Sequence, residues 1–235
     1  MLKAVLFDLD DTLFDHRHSS REALALLQQD FFGDRDEVTL DELEAANHAI
    51  LNEVHVEVLA GTLGPDEARV KRFGMFFRRF GIKLSTHDLQ IVAASYRANY
   101  QSSWRAMPGA EKLLRALRHR GVKTSIVTNN LVEEQMSKLA RCGLLELLDS
   151  ITISEEAGFS KPDARIFQIA LDRLGLEAQE TVMIGDAWEN DILGARAAGI
   201  RSVWYNAYSS EPPERTVPEI RTFEDSDAIL RLLFL

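Results

Sequence analysis

Cysteine and long apolar runs are scarce in this chain of 235 residues. Cys142 is its one cysteine, so no disulfide bond can form within the chain. The first apolar run, residues 2–9, is much shorter than a membrane span and contains Asp8. It also lacks the basic lead and the small-residue cleavage site of a signal peptide. We therefore expect a cytoplasmic protein that does not enter a membrane.

Positive charge is in deficit, with 27 lysine and arginine residues against 37 aspartate and glutamate residues and a net charge of −10. Such a field repels a phosphate-rich polymer, so nucleic acid is not expected as a partner. A small anionic substrate is not excluded, because local cations can reverse the sign of the charge inside one cleft. The hydrophobic share of 46% is ordinary for a globular protein and indicates neither the reaction nor the oligomeric state.

The chain after residue 105 alternates between strand-like and helix-like patterns. Strands are expected at residues 123–128, 150–154, 181–185, 201–205 and 219–223. Helical segments, each ended by a glycine, separate most of these strands, and residues 2–9 have the composition of a further buried strand. This alternation predicts an α/β fold built on a doubly wound parallel sheet with right-handed crossovers.

Residues 16–104 have a different pattern. Apolar residues recur there at helical spacing, turn residues separate the runs, and no segment has the alternation of a strand. We therefore predict a Rossmann-like core made of residues 1–15 plus 105–235, interrupted by an all-helical domain at 16–104. Ligands of such sheets bind at the carboxyl ends of the strands, so reactive side chains should cluster there.

Two acidic residues stand at the carboxyl end of the first predicted strand. Asp8 and Asp10 are two residues apart, so their side chains can face one site as the strand opens into a loop. Two carboxylates so close disfavour joint ionisation unless a cation lies between them. The alternative is that they only turn or cap the chain after the strand.

Other polar groups also stand near strand ends. Thr128 ends the strand at 123–128 and Asn129 follows it, just before a helix. Free backbone N–H groups at such a position can bind phosphate, although these residues also suit an ordinary helix cap. Lys161 precedes a proline that suits the first turn of the next helix. Either this lysine neutralises a phosphate, or it is an ordinary solvated lysine at the surface. Asp186 and Asp191 follow the strand at 181–185 and can either hold a hard cation or cap a helix.

These groups follow the predicted strands in one order: acid pair, hydroxyl, lysine, acid pair. The segments that carry them, DLDDTL, VTNN, Lys161-Pro162 and GDAWEND, resemble the four motifs of the haloacid dehalogenase-like hydrolases. The resemblance covers the whole chain, and the helical insert looks like the small helical cap domain of that family. The DxDDTLFD start is similar to that of nucleotidase and sugar-phosphatase members.

The resemblance implies a phosphatase that hydrolyses a small phosphorylated metabolite, a nucleoside monophosphate or a sugar phosphate, through an aspartyl-phosphate intermediate. It implies Asp8 as the nucleophile and Asp10 as the general acid/base. It further implies that Thr128, Asn129 and Lys161 bind the substrate phosphate.

The resemblance also implies Mg²⁺ as the cofactor. Its ligands would be Asp8, the backbone carbonyl of Asp10, and Asp186. Asp191 would be a supporting acid close to the metal.

Other activities of the same fold stay open at this point. A dehalogenase expels halide, which needs no proton, and its family members lack an acid two residues after the nucleophile, so Asp10 disfavours that reaction. A phosphonate hydrolase would use a lysine of the cap, for which Lys71 and Lys83 are candidates. A phosphomutase keeps both aspartates, and a catalytically silent binding or regulatory protein is a further alternative.

Overall fold

The computed structural model describes residues 1–33 and 37–234. Residues 34–36, which fall inside the predicted helical domain, lie outside the described residues. The chain forms two compact units, one made of Met1–Asp15 with Arg105–Leu235 and the other of His16–Trp104. The first of these, the sheet unit, holds all the residues that the sequence motifs single out.

The strands of the sheet unit form a parallel sheet. They are β1 (Ala4–Phe7), β2 (Lys123–Thr128), β3 (Ser150–Ile153), β4 (Thr181–Gly185), β5 (Arg201–Tyr205) and β6 (Glu219–Ile220). Among the described residues they run in the spatial order β3-β2-β1-β4-β5-β6, and every neighbouring pair is parallel. The predicted doubly wound α/β fold is therefore confirmed.

The first strand lies where the order of the sheet reverses. Phe7 at its end is paired with Ile126 of β2 on one side and with Ile184 of β4 on the other. All of β1 is buried, as the run of apolar residues predicts. The loops that follow β1, β2 and β4 consequently leave the sheet side by side, at the position where doubly wound sheets bind ligands.

The second compact unit, the helical unit, contains α1 (His16–Phe32), α2 (Leu40–Leu59), α3 (Pro65–Arg79) and α4 (Thr86–Ser102). Local sequence explains where these helices begin. Thr39 and Glu42 form a capping box at the start of α2, and Pro65 opens α3 at a position where its missing N–H costs nothing. The aromatic residues of α3 pack inside this unit, with Phe73 and Phe76 fully buried.

The sheet unit also contains helices that cover the sheet. They are α5 (Ala110–His119), α6 (Val132–Arg141), α7 (Ser154–Ala157), α8 (Ala164–Leu174), α9 (Gly194–Ala197) and α10 (Ser226–Leu233). Phe167 and Ile166 of α8 pack with Leu6, Val127 and Met183 of the strands in one buried cluster. Within the described part of the chain, no helix combines the length and the apolar character needed to span a bilayer.

Three local predictions need correction. The strand expected at 219–223 pairs only at Glu219–Ile220, and the ring of Phe223 stacks on that of Tyr205 instead. The helix after β4 is π-helical over Trp188–Leu193 before it continues as α9. Helix α8 begins at Ala164 with Asp163 as its N-cap, so Pro162 precedes the helix and does not form its first turn.

Candidate active site

The carboxyl end of β1 delivers Asp8 directly to the edge of the sheet. Its backbone N–H donates to the carbonyl of Ile184 (3.0 Å), which continues the pairing of β1 with β4. Thr128 is the last residue of β2, and Asp186 comes directly after β4. Parallel strands in register therefore bring three of the predicted site residues to the same edge.

Lys161 reaches this edge from the loop between α7 and α8. Its Nζ donates to Oδ1 of Asp8 (2.5 Å) and to Oδ1 of Asp191 (2.6 Å). All three side chains are buried, with the side chain of Lys161 only 3% exposed. The structure thus brings the lysine between the first and last acids of the predicted set, where a buried cation has the two partners it needs.

The carboxylates repel one another in spite of this lysine. Burial raises the pKa of Asp8 to about 7, and the charges of Asp191 and Asp10 add to the rise while Lys161 opposes it. Burial, followed by the charges of Asp8 and Asp191, also raises the pKa of Asp186 well above its ordinary value. Burial alone would lower the pKa of Lys161, but Asp191 and Asp8 outweigh it and raise that pKa.

This cluster has the composition of a site for a hard divalent cation. Asp8, Asp186 and Asp191 each offer an oxygen, and these oxygens lie within 4.8 Å of one another. A small, charged cation takes oxygen ligands, and it would offset both the burial and the carboxylate repulsion that raise the pKa of Asp8 and Asp186. Both oxygens of Asp191 already accept hydrogen bonds, Oδ1 from Lys161 and Oδ2 from the N–H of Ala187. Lys161 and Thr12 instead bond Asp8 and Asp186 through Oδ1, so these two acids fit the role of ligands better than Asp191 does.

Asp186 is fixed in place from two sides. Thr12 Oγ1 donates to its Oδ1 (3.1 Å) and accepts from its backbone N–H (3.1 Å). The indole N–H of Trp204, on β5, donates to its backbone carbonyl (2.8 Å). Trp188 packs edge-on against Trp204 with ring centroids 5.3 Å apart. These contacts hold the loop after β4 against the loop after β1.

Asp10 has separate partners from Asp8. Its Oδ1 accepts from Nζ of Lys138 (2.6 Å) and its Oδ2 accepts from Nε2 of Gln135 (3.0 Å), both on α6. The side chain of Asp10 is 27% exposed, whereas that of Lys138 is 2% exposed. Asp10 therefore combines firm anchoring with access to solvent.

The loop after β2 is tied to the loop that carries Lys161. Nδ2 of Asn129 donates to the carbonyl of Lys161 (2.9 Å), and the N–H of Lys161 donates to Oδ1 of Asn129 (2.7 Å). The amide of Asn129 thus positions Lys161, and its predicted contact with substrate stays a prediction. Thr128 Oγ1 accepts from Nε2 of Gln135 (2.7 Å), which leaves the hydroxyl proton able to donate.

The sequence did not predict the roles of Thr12, Gln135 and Lys138. A helical wheel offers one signal for the last two, because Gln135 lies four residues before the buried Leu139 and three before Lys138. The buried residues of α6 are Gln135, Lys138 and Leu139, so polar side chains occupy part of its inner face. A polar pair on the inner face of a helix indicates a buried polar partner.

Comparisons with known proteins agree on one family. The family model for haloacid dehalogenase-like hydrolases matches residues 2–199. Ribulose-1,5-bisphosphate 5-phosphatase from Halopiger xanaduensis is 31% identical, over 97% of this chain and 94% of that protein. Pyrimidine 5′-nucleotidase YjjG from Escherichia coli is 41% identical, over 48% of this chain and 50% of that protein. The crystal structure of the HAD-hydrolase YfnB from Bacillus subtilis, bound to magnesium, has a TM-score of 0.76 at 26% identity and covers 100% of this chain and 99% of that one.

Proposed function

This chain belongs to the haloacid dehalogenase-like hydrolases, and from that premise we propose that it is a phosphatase with Asp8 as its nucleophile. Its substrate in this proposal is a small cytoplasmic phosphate monoester. The observation that carries the proposal is the pairing of Asp8 with Lys161 at the end of β1, with a second acid, Asp10, two residues further on.

Charge repulsion is the first obstacle to the reaction. At a separation of about 3.5 Å and an effective dielectric constant of about 20, each pair of like unit charges costs roughly 5 kcal/mol. The ammonium group of Lys161 offsets this repulsion, because it lies 2.5 Å from Asp8 and can also face a bound phosphate. The hydroxyl of Thr128 would donate to a phosphate oxygen.

The reaction has two displacement steps. In the first, an oxygen of Asp8 attacks phosphorus, the bond from phosphorus to the ester oxygen breaks, and Asp10 gives its proton to that oxygen. In the second, Asp10 takes a proton from water, the water oxygen attacks phosphorus, and the bond to Asp8 breaks. Inorganic phosphate leaves, and both aspartates return to their starting states.

We propose Mg²⁺ as the cofactor of this site. Asp8, Asp186 and the backbone carbonyl of Asp10 would hold the ion, and Asp191 would support them by holding Lys161. When bound, the ion supplies positive charge beside the transferring phosphoryl group. Burial, and after it the charge of the neighbouring carboxylates, raises the pKa of Asp8 and Asp186, and a cation bound between them would favour their ionised forms, which supports this assignment.

Asp10 favours phosphoryl transfer over carbon–halogen cleavage. An alkoxide leaving group needs a proton and a halide does not, so an anchored, partly exposed acid beside the nucleophile suits an ester substrate. Of the cap lysines that a phosphonate hydrolase would need, Lys71 forms an ion pair with Glu57. We assign no role to Lys83.

We propose that the helical unit, His16–Trp104, acts as the cap that selects the leaving group. The relatives named above act on a sugar bisphosphate and on pyrimidine nucleotides. Both substrate classes suit this chain, since neither is a polymer and each carries the ester that Asp8 would attack. Sugar phosphates and nucleoside monophosphates are therefore the first substrates to test.

Hydrolysis of an aryl phosphate tests the proposal. The purified protein should release phosphate in the presence of Mg²⁺ and stop when EDTA is added. Asp8→Asn should abolish the activity, because an amide is a far weaker nucleophile than a carboxylate. Activity on 2-haloacids in place of phosphate esters would overturn the proposal, as would Asp8→Asn protein that keeps substantial activity. A panel of phosphorylated metabolites would then identify the leaving group.

A further inference from the structure

We propose that Lys138 and Gln135 of α6 are positioning residues that hold the carboxylate of Asp10 in place for both proton transfers. Gln135 would also direct the hydroxyl of Thr128 towards the phosphoryl group. This inference rests on the proposed function, because only an ester substrate has a leaving group that needs a proton from Asp10.

The contacts of Asp10 define the plane of its carboxylate. Lys138 Nζ donates to Oδ1 (2.6 Å) and Gln135 Nε2 donates to Oδ2 (3.0 Å), so each oxygen has its own donor. A carboxylate held by one donor can still rotate about the bond to its β-carbon. Two donors on different oxygens fix that rotation.

The burial of Lys138 is not explained by a contribution to the stability of the fold. A lysine whose side chain is only 2% exposed loses most of its hydration. One ion pair with a partly exposed aspartate and a face contact with the ring of Phe14 (5.0 Å to its centroid) compensate it only in part. A leucine or methionine would fill this place on α6 without that desolvation, so the ammonium group needs a functional explanation.

Gln135 joins the acid to the phosphate-binding hydroxyl. Its Nε2 donates to both Asp10 Oδ2 (3.0 Å) and Thr128 Oγ1 (2.7 Å), while its Oε1 is buried with no hydrogen-bond partner among the described residues. In the ionised state, in which it takes a proton from water, Asp10 can only accept, so the amide nitrogen faces it in that state. The Thr128 oxygen then accepts from Gln135, and its own proton stays available for the substrate.

Loss of the ammonium group tests this inference. We expect Lys138→Met to fold, since methionine matches the lysine stem in length, and to lower kcat by about 10- to 100-fold on alkyl phosphates, because misplaced catalytic groups cost about that much. The loss on an aryl phosphate with a good leaving group should be much smaller, since that leaving group needs little protonation. Lys138→Arg should restore part of the loss.

A double variant separates positioning from a general structural effect. If Lys138 acts through Asp10, then the double variant Asp10→Asn with Lys138→Met should be no slower on alkyl phosphates than Asp10→Asn alone.

Gln135→Met should lower kcat and also raise KM, because Thr128 loses the bond that orients it. Lys123→Met is the matched control, since Lys123 stands at the opposite end of β2 from Thr128, where its Nζ donates to the carbonyl of Leu174 (3.0 Å). It should leave kcat and KM unchanged.

The outcomes separate the two levels of the proposal. Wild-type protein that cleaves no phosphate ester overturns the proposed function and this inference with it. With an active wild type, equal losses of kcat on alkyl and aryl phosphates would overturn the positioning role of Lys138. The positioning role would also be overturned if Asp10→Asn with Lys138→Met lost the product of the two single-variant losses in kcat. A normal melting temperature of the variants would show that these losses are not due to misfolding.

Discussion

Lys161 is the residue on which the charge balance of the site depends. It is buried between Asp8 and Asp191, with Asp186 close to both acids. A protein interior does not tolerate carboxylates at such spacing without compensating charge. The lysine therefore has a structural role even before any substrate binds.

Replacement of Lys161 by methionine should destabilise the metal-free protein. Removal of one partner from a buried charge network costs roughly 3–5 kcal/mol, because the remaining charges are left without compensation. Urea denaturation in EDTA at neutral pH measures this loss. Lys3→Met, which removes a partly exposed ion pair with Glu180, is the control and should change stability little. A Lys161→Met protein as stable as the wild type would contradict this account of the site.

The raised pKa of Asp8 predicts how stability depends on pH. The pKa of Asp8 is about 7 in the folded protein, whereas in the unfolded chain it is the ordinary value of 3.8. The folded state thus binds more protons over that interval, so the free energy of unfolding should fall as the pH rises through it. The stabilisation is complete below the unfolded pKa and is lost above the folded one. Asp186, whose pKa is raised in the same direction, should add to this slope.

Chemical denaturation of metal-free protein between about pH 5 and about pH 8 checks this slope. Asp8→Asn should flatten it, because the amide does not titrate. An identical slope in the wild type and in Asp8→Asn would show that Asp8 is not the titrating group.

At the scale of single elements, the junction of β4 with the π-helix after it depends on one glycine. A β-carbon on Gly185 would lie 2.3 Å from Oδ2 of Asp191 and 2.4 Å from its Cγ. The strand can therefore end in Gly185-Asp186 beside a buried Asp191 only because residue 185 has no side chain.

Gly185→Ala should displace Asp191 and, through it, Lys161. We expect a loss of phosphatase activity of about 100-fold, since a shift of about 1 Å in catalytic groups has that effect, and a loss of stability of about 1–3 kcal/mol from overpacking. Gly64→Ala is a suitable control because the nearest atom to its added methyl group is 3.6 Å away. Gly185→Ala protein with wild-type kinetics would show that Asp191 does not need its observed position.

The strand-end residues could be predicted because parallel strands place their carboxyl ends at one edge. Asp8, Thr128 and Asp186 each stand within one residue of a strand end, so sequence position alone indicates their neighbourhood. Lys161 lies further from a strand, and its place in the site came from the resemblance to a family. Its ion pairs with Asp8 and Asp191 are long-range contacts that no local pattern encodes.

Helix α6 shows what local patterns leave out. Its segment VEEQMSKLAR is charged or polar at most positions, so from the sequence alone Lys138 looks like an ordinary solvated surface lysine. Its burial results from the packing of α6 against the loop after β1, which is more than 100 residues away along the chain. The π-helical turn at Trp188–Leu193 is a similar case. It contains the buried Asp191, and no local sequence pattern predicts its backbone geometry.

For the molecule as a whole, Mg²⁺ should act as a stabilising ligand. A cation that binds only the folded state stabilises it by about 2.7 kcal/mol at a concentration of about 100 times its Kd. The melting temperature of EDTA-treated protein should therefore rise as Mg²⁺ is added. Asp186→Asn should lose most of this rise, and an unchanged rise in that variant would place the ion elsewhere.

A covalent phosphoryl group on Asp8 is the central claim, and trapping it is the most direct measurement. Protein quenched with acid during turnover of an aryl phosphate should yield a phosphorylated peptide that contains residues 8–10. Mass spectrometry should assign the group to Asp8, and hydroxylamine should remove it, as expected of an acyl phosphate. A phosphoryl group on any other residue, or active protein that yields none under single-turnover conditions, would contradict the mechanism.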